Sequence, residues 1–84
     1  MADKEKEIRE GQEAKTLLEN PLLIKSYEVI QNDTFQKWIR TEIGDTAGRE
    51  ALFHSIRGVL TAQTVLVNTM ENGKIVEKEL RGGK

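Results

Sequence analysis

The stretch that decides the fold is "GREALFHSIRGVLTAQTVLV", residues 48–67. Apolar residues recur in it and just beyond it at alternating spacings of four and three, which is the heptad pattern of a helix with one apolar seam. Phe53, Leu60 and Val67 widen this seam. The stretch therefore predicts a long amphipathic helix whose core seam consists of Leu52, Ile56, Val59, Gln63, Leu66 and Met70.

A second row on the same helix is made of small residues and lies roughly 100° around the helix from the seam. It consists of Ala51, Ser55, Gly58, Ala62 and Val65. A mid-helix glycine costs about 1 kcal/mol relative to alanine, so Gly58 predicts the close approach of another helix. We therefore interpret this row as a helix–helix or subunit interface. Its partner is the N-terminal helix of the same chain or the same helix of a second copy. The third alternative is that Gly58 has no partner, because one mid-helix glycine on an exposed face is tolerable.

The residues before this helix predict a second one, from Pro21 to about Ile43. Asn20 is a typical N-cap, and proline suits the first helical position because its missing N–H needs no partner there. Gly44 is expected to end the helix in a left-handed conformation. The turn before the next helix is short, so the two helices should pack antiparallel. The apolar face of the second helix contributes Tyr27, Ile30 and Trp38 to the core seam.

The two ends of the chain complete an all-α prediction. Residues 4–19 favour a helix that Gly11 interrupts, so residues 1–10 are expected to be flexible and the rest to dock. At the other end, "ENGK" is expected to end the third helix near Gly73, with a short helical turn before a flexible 81–84. A rival interpretation makes residues 64–77 a β-hairpin, because Asn-Gly flanked by β-branched residues is a hairpin signal. The predicted fold is one small domain, an antiparallel helical hairpin with a docked N-terminal helix.

Composition restricts the classes of function. The 84 residues carry a net charge of −1, no cysteine and one histidine, so neither disulfides nor a Cys or His-rich metal site are expected. Small domains need some further source of stability, and oligomerisation is the one left. Apolar runs are too short for a membrane span and there is no signal-peptide pattern. We expect a soluble intracellular protein without cofactors.

Candidate chemistry is sparse. His54 has no marked nucleophile or orienting acid near it in sequence, so we expect no enzyme. Basic residues cluster around the single tryptophan, an arrangement that is able to stack bases and contact phosphates. They are weak nucleic-acid candidates, because the chain lacks the basic surplus of a dedicated binder. These candidates are Lys37, Arg40, Arg49 and Arg57.

The motifs "GQEAKTLLENPLL", "FQKWIRTEIGDTAGREALFHSIRGV" and "ENGK" together resemble short helical proteins encoded in the structural and packaging gene regions of tailed bacteriophages. The resemblance covers roughly residues 10–75. It implies a non-enzymatic structural or packaging accessory protein that associates with itself or with another phage structural protein, in the infected cytoplasm or the virion. Two alternatives remain, a DNA-binding packaging factor similar to a small terminase subunit and an inhibitor of a host protein.

Overall fold

The computed structural model describes residues 2–82, which form three helices and no strand. They are α1 (Ala2–Leu18), α2 (Pro21–Ile39) and α3 (Thr46–Gly82). The all-helical prediction is confirmed, and the packing fits a helical bundle. The β-hairpin alternative for residues 64–77 is wrong, because α3 passes through them without interruption.

Both chain ends are more helical than predicted. Helix α1 continues through Gly11, so the expected interruption there is wrong, and the segment predicted to be flexible is helical from Ala2. Helix α3 likewise continues through Gly73 to Gly82, which replaces the predicted stop and separate short turn. Residue 1 of the predicted flexible start, and residues 83 and 84 of the predicted flexible end, lie outside the described residues.

The predicted helix starts are confirmed by their caps. The Asn20 side-chain oxygen accepts hydrogen bonds from the Leu22 and Leu23 amides at 2.9 and 3.1 Å. The Gly48 amide donates to the Asp45 carboxylate at 2.8 Å, so Asp45 caps α3. Each cap satisfies amide groups that a helix start would otherwise leave unpaired.

Helix α2 ends earlier than predicted and by a different device. It stops at Ile39, and Arg40 follows with φ −87° and ψ −3°, a right-handed conformation. Gly44 does not adopt the predicted left-handed conformation. The last turn is closed by the Thr41 amide and hydroxyl, which both donate to the Trp38 carbonyl, at 3.2 and 2.7 Å.

The molecule is a rod in which α1 and α2 lie one after the other along α3. Its extents are 59 × 24 × 18 Å, and a helix of 37 residues is itself about 55 Å long. The radius of gyration is 18.1 Å, against about 12 Å for a compact domain of this length. Helix α1 covers the C-terminal half of α3 and contacts it far more extensively than α2 contacts the N-terminal half.

Two glycines make the closest contact between helices. A Cβ atom built on Gly11 would lie 2.8 Å from the Gly73 Cα, and one built on Gly73 would lie 2.8 Å from the Gly11 Cα. One turn further along each helix, Ala14 and Val76 are the buried hydrophobic residues among those described, at 3% and 6% exposure. The α1–α3 crossing therefore depends on backbone meeting backbone at glycine.

Gly58 does not make the contact with the N-terminal helix that we considered. A Cβ atom there would have no neighbour within 4 Å, because α1 lies against the other half of α3. The interpretation that Gly58 serves internal packing with α1 is therefore wrong. Its alternative, contact with a second copy, stays a prediction.

The three glycines predict opposite effects of the same substitution. Gly73→Ala or Gly11→Ala should destabilise the protein by about 1–3 kcal/mol, since the added methyl group overlaps a backbone that has to move. Gly58→Ala should stabilise it by up to about 1 kcal/mol, since the methyl group enters open space and removes a helix penalty. Urea unfolding at one fixed protein concentration measures both effects. A loss of stability in Gly58→Ala would contradict the open surroundings of Gly58.

Candidate protein-interaction site

An apolar recess lies between α2 and the first half of α3. It has a volume of about 230 Å³ and is walled by the aromatic rings of Phe35, Trp38 and Phe53, with the half-buried Leu52 and Ile56 beside them. The Phe35 and Trp38 rings stack, with centroids 6.5 Å apart. Trp38 is 49% exposed and Phe53 56% exposed. Aromatic side chains left this accessible in a concave site are typical of protein interfaces.

A second recess continues the first along the rod. It has a volume of about 210 Å³ and includes Leu17, Ile24, Tyr27 and Gln63. Gln31 lines both recesses, so they form one groove, which we call the α2–α3 groove. It extends from the end of α1 to the aromatic rings of α2.

One row of residues beside this groove has heptad spacing. On α3 the row is Phe53, Leu60 and Val67, each seven residues apart, so these side chains lie on one side of the helix. The sequence predicts that this row widens the core seam, but Phe53 and Leu60 are exposed in the single chain. The seam itself lies deeper, since its six α3 members are all half-buried. Of its α2 members, Tyr27 is half-buried, while Ile30 and Trp38 are exposed.

The small-residue row lies on the opposite side of the seam, by the rotation of about 100° per residue in a helix. All five of its residues are exposed in the single chain: Ala51, Ser55, Gly58, Ala62 and Val65. The Ser55 hydroxyl donates to the Ala51 carbonyl of its own helix at 3.1 Å. The molecule thus has two candidate faces, and the aromatic rings of Phe35, Trp38 and Phe53 belong to the groove.

The four basic candidates for nucleic-acid binding are used differently. Arg49 holds the loop between α2 and α3, because its guanidinium donates to the Glu42 and Ile43 carbonyls at 2.8 and 2.9 Å. Lys37 forms an ion pair with Asp33 at 3.0 Å, four residues earlier in α2. Arg40 and Arg57 are exposed. Two of the four charges therefore already have protein partners.

His54 is exposed, and its ring meets the edge of the Phe53 ring with centroids 5.7 Å apart. Within residues 2–82, no group of three or more His, Asp or Glu side chains is placed to hold a metal ion. Over the same range, no helix has both the length and the apolar character needed to cross a bilayer. In the described part of the chain, the candidate functional site is therefore the α2–α3 groove, with its apolar lining and exposed aromatic rings.

Sequence reasoning singled out Trp38 and Phe53 as large apolar residues of the seam, but it predicted neither the groove that they line nor the glycine crossing. Gly11 and Gly73 were interpreted as an interruption and a stop, although both lie inside helices. A signal was present: Gly73 continues the seam three residues after Met70, which is the spacing expected if the helix does not end there. The heptad spacing therefore predicts correctly that the helix continues at Gly73, whereas the local Asn-Gly pair predicts that it ends there.

Comparison of the chain with family models, with curated proteins and with solved structures gives no match. Its class is therefore defined by its own features, an elongated helical rod with an open apolar groove.

The loop contacts of Arg49 predict a structural effect of substitution. Arg49→Lys should lower the free energy of unfolding by about 1 kcal/mol, because a single ammonium group cannot reproduce the two-pronged donation to the loop carbonyls. Arg57→Lys, an exposed change on the same helix, is the matched control and should alter stability by less than about 0.5 kcal/mol. Urea unfolding of both variants measures the difference. Equal stabilities would show that the loop does not depend on the guanidinium.

Proposed function

We propose that this chain is a non-enzymatic assembly protein that acts by protein–protein contact and self-association, with the α2–α3 hairpin as its working unit. The observation that carries the proposal is the imbalance between its core and its surface. Among the described residues, Ala14 and Val76 are the buried hydrophobic side chains, whereas Phe35, Trp38 and Phe53 are about half exposed. Covering the groove would bury these half-exposed rings, which the single chain leaves in water.

Energetics support this proposal. Ordering a residue costs roughly 1–2 kcal/mol of backbone entropy, and burial of apolar area is the main compensation. The chain exposes 6644 Å², against about 5,000 Å² for a compact folded protein of 9.5 kDa. Monomeric proteins rarely leave apolar patches larger than a few hundred Å² in water. A partner that covers the groove would supply the burial that the single chain lacks.

The motif resemblance suggests where such assembly takes place. The opening "GQEAKTLLENPLL" and the segment from Phe35 to Val59 resemble helical proteins of phage structural and packaging regions. We extend the proposal to a role in virion assembly or DNA packaging on this basis. Net charge supports the protein-contact form of that role over direct DNA binding, because −1 offers no electrostatic attraction to phosphate.

The proposal predicts that the protein is not a monomer in solution. Light scattering should give a molar mass of at least twice 9.5 kDa, and the thermal midpoint should rise with protein concentration, because association stabilises only the folded state. A constant mass of one chain, together with cooperative unfolding at a midpoint independent of concentration, would contradict self-association.

A further inference from the structure

We propose that the α2–α3 groove is covered by the same groove of a second copy, so that α2 and the first half of α3 from each chain form a closed four-helix bundle. This inference rests on the proposed function and deepens it, because it commits to one face, one partner and a twofold arrangement. The α1–α3 crossing stays outside the bundle at its two ends.

The shape of the groove suits a copy of itself. Its two rows repeat every seven residues, with Phe53, Leu60 and Val67 on α3 and Ile24, Gln31 and Trp38 on α2. Two antiparallel helices with heptad rows leave a furrow in which another pair of such helices packs at a shallow angle. A surface made of equivalent rows is self-complementary, which is what a twofold interface requires.

The size of the groove face is near the minimum for a specific interface. From Phe53 to Val67 the row is about 21 Å long at 1.5 Å per residue, and the rod is 24 Å wide. This face amounts to roughly 500 Å² on each copy, or about 1,000 Å² in total, which is about the smallest area that a biological protein interface buries. The aromatic rings at its end are the residue types that contribute most to binding in such interfaces.

Electrostatics permit the two copies to meet. The residues lining the aromatic recess include no charged side chain, and in the adjoining recess Glu28 is the charged residue among those lining it. The net charge of −1 produces little long-range repulsion between copies. A second copy is also present at the same concentration as the first, so an uncovered groove always has this partner available.

The other half of the rod does not compete for this role. There Gly11 and Gly73 bring α1 and α3 into backbone contact, and Ala14 and Val76 are buried between them. The Glu7 carboxylate accepts a hydrogen bond from the Asn72 side-chain amide across the same crossing, at 3.1 Å. That half has buried contacts of its own within one chain, although Ile75 and Leu80 are 58% and 44% exposed. The bundle is placed on the aromatic half because the exposed rings lie there.

A matched pair of charge substitutions tests the inference. Leu60→Glu places a carboxylate beside the groove, in the row that Phe53 and Val67 share with Leu60. Val65→Glu places the same carboxylate on the small-residue row of the same helix; the two side chains are 41% and 57% exposed. The two readouts are molar mass by light scattering and the emission of Trp38, the single tryptophan, which lies in the groove. The wild type should have twice the mass of one chain and a blue-shifted emission.

The two variants should differ in molar mass and in Trp38 emission. Leu60→Glu should have the mass of one chain and a red-shifted emission, while Val65→Glu should keep the dimeric mass and the wild-type emission. The opposite pattern would overturn the groove interface in favour of the small-residue row, and the proposed function would survive. A wild-type mass of three or more chains would overturn the closed twofold bundle alone. A monomeric wild type would overturn both.

A milder pair keeps the test decisive if Leu60→Glu fails to fold, which its far-ultraviolet circular dichroism would reveal. Phe53→Ala removes an aromatic ring that is 56% exposed in the single chain, so the helices should persist. The dimer dissociation constant should rise at least tenfold in this variant and less than threefold in Val65→Ala. Equal dissociation constants for the two variants would overturn the inference.

Discussion

The contact between Gly11 and Gly73 is the constraint on which the rest of the structure depends. Because neither residue has a side chain, the backbones of α1 and α3 meet directly, and this contact anchors α1 to the C-terminal half of α3. Helix α2 begins two residues after α1 ends and contacts α1 little, so it lies beyond the end of α1 and not against its side. Helix α2 is therefore placed along the N-terminal half of α3.

Side-chain size then separates the rod into two halves with different properties. Small residues at the α1–α3 crossing allow close approach, and the core found there is buried. Along α2 the large rings of Phe35 and Trp38, opposite Phe53 on α3, line a recess that the single chain does not fill. One half of the rod thus has its buried contacts within the chain, whereas the other has an apolar groove whose burial requires a partner. This division is the physical basis of the proposed assembly role.

The candidate site was only partly predictable from the sequence. Heptad spacing distinguishes apolar from polar positions on a helix, so it identified Trp38 and Phe53 as large apolar side chains. Spacing does not show which apolar side chains another helix covers, because coverage depends on where that helix lies. The predicted widening of the seam by Leu60 failed for this reason. Likewise, no spacing indicates that Arg49 donates to the carbonyls of a loop.

What the sequence by itself determined is local. The all-helical character, the cap at Asn20 and the long seam of α3 all follow from hydrogen-bonding groups and periodicities within a few residues of each other. The tertiary structure alone decided that Gly11 and Gly73 lie inside helices. A glycine costs a helix about 1 kcal/mol, so the same residue reads locally as an interruption or a stop. The cost is offset because the absent side chain lets the backbone of the other helix approach. That backbone belongs to a residue more than sixty positions away along the chain.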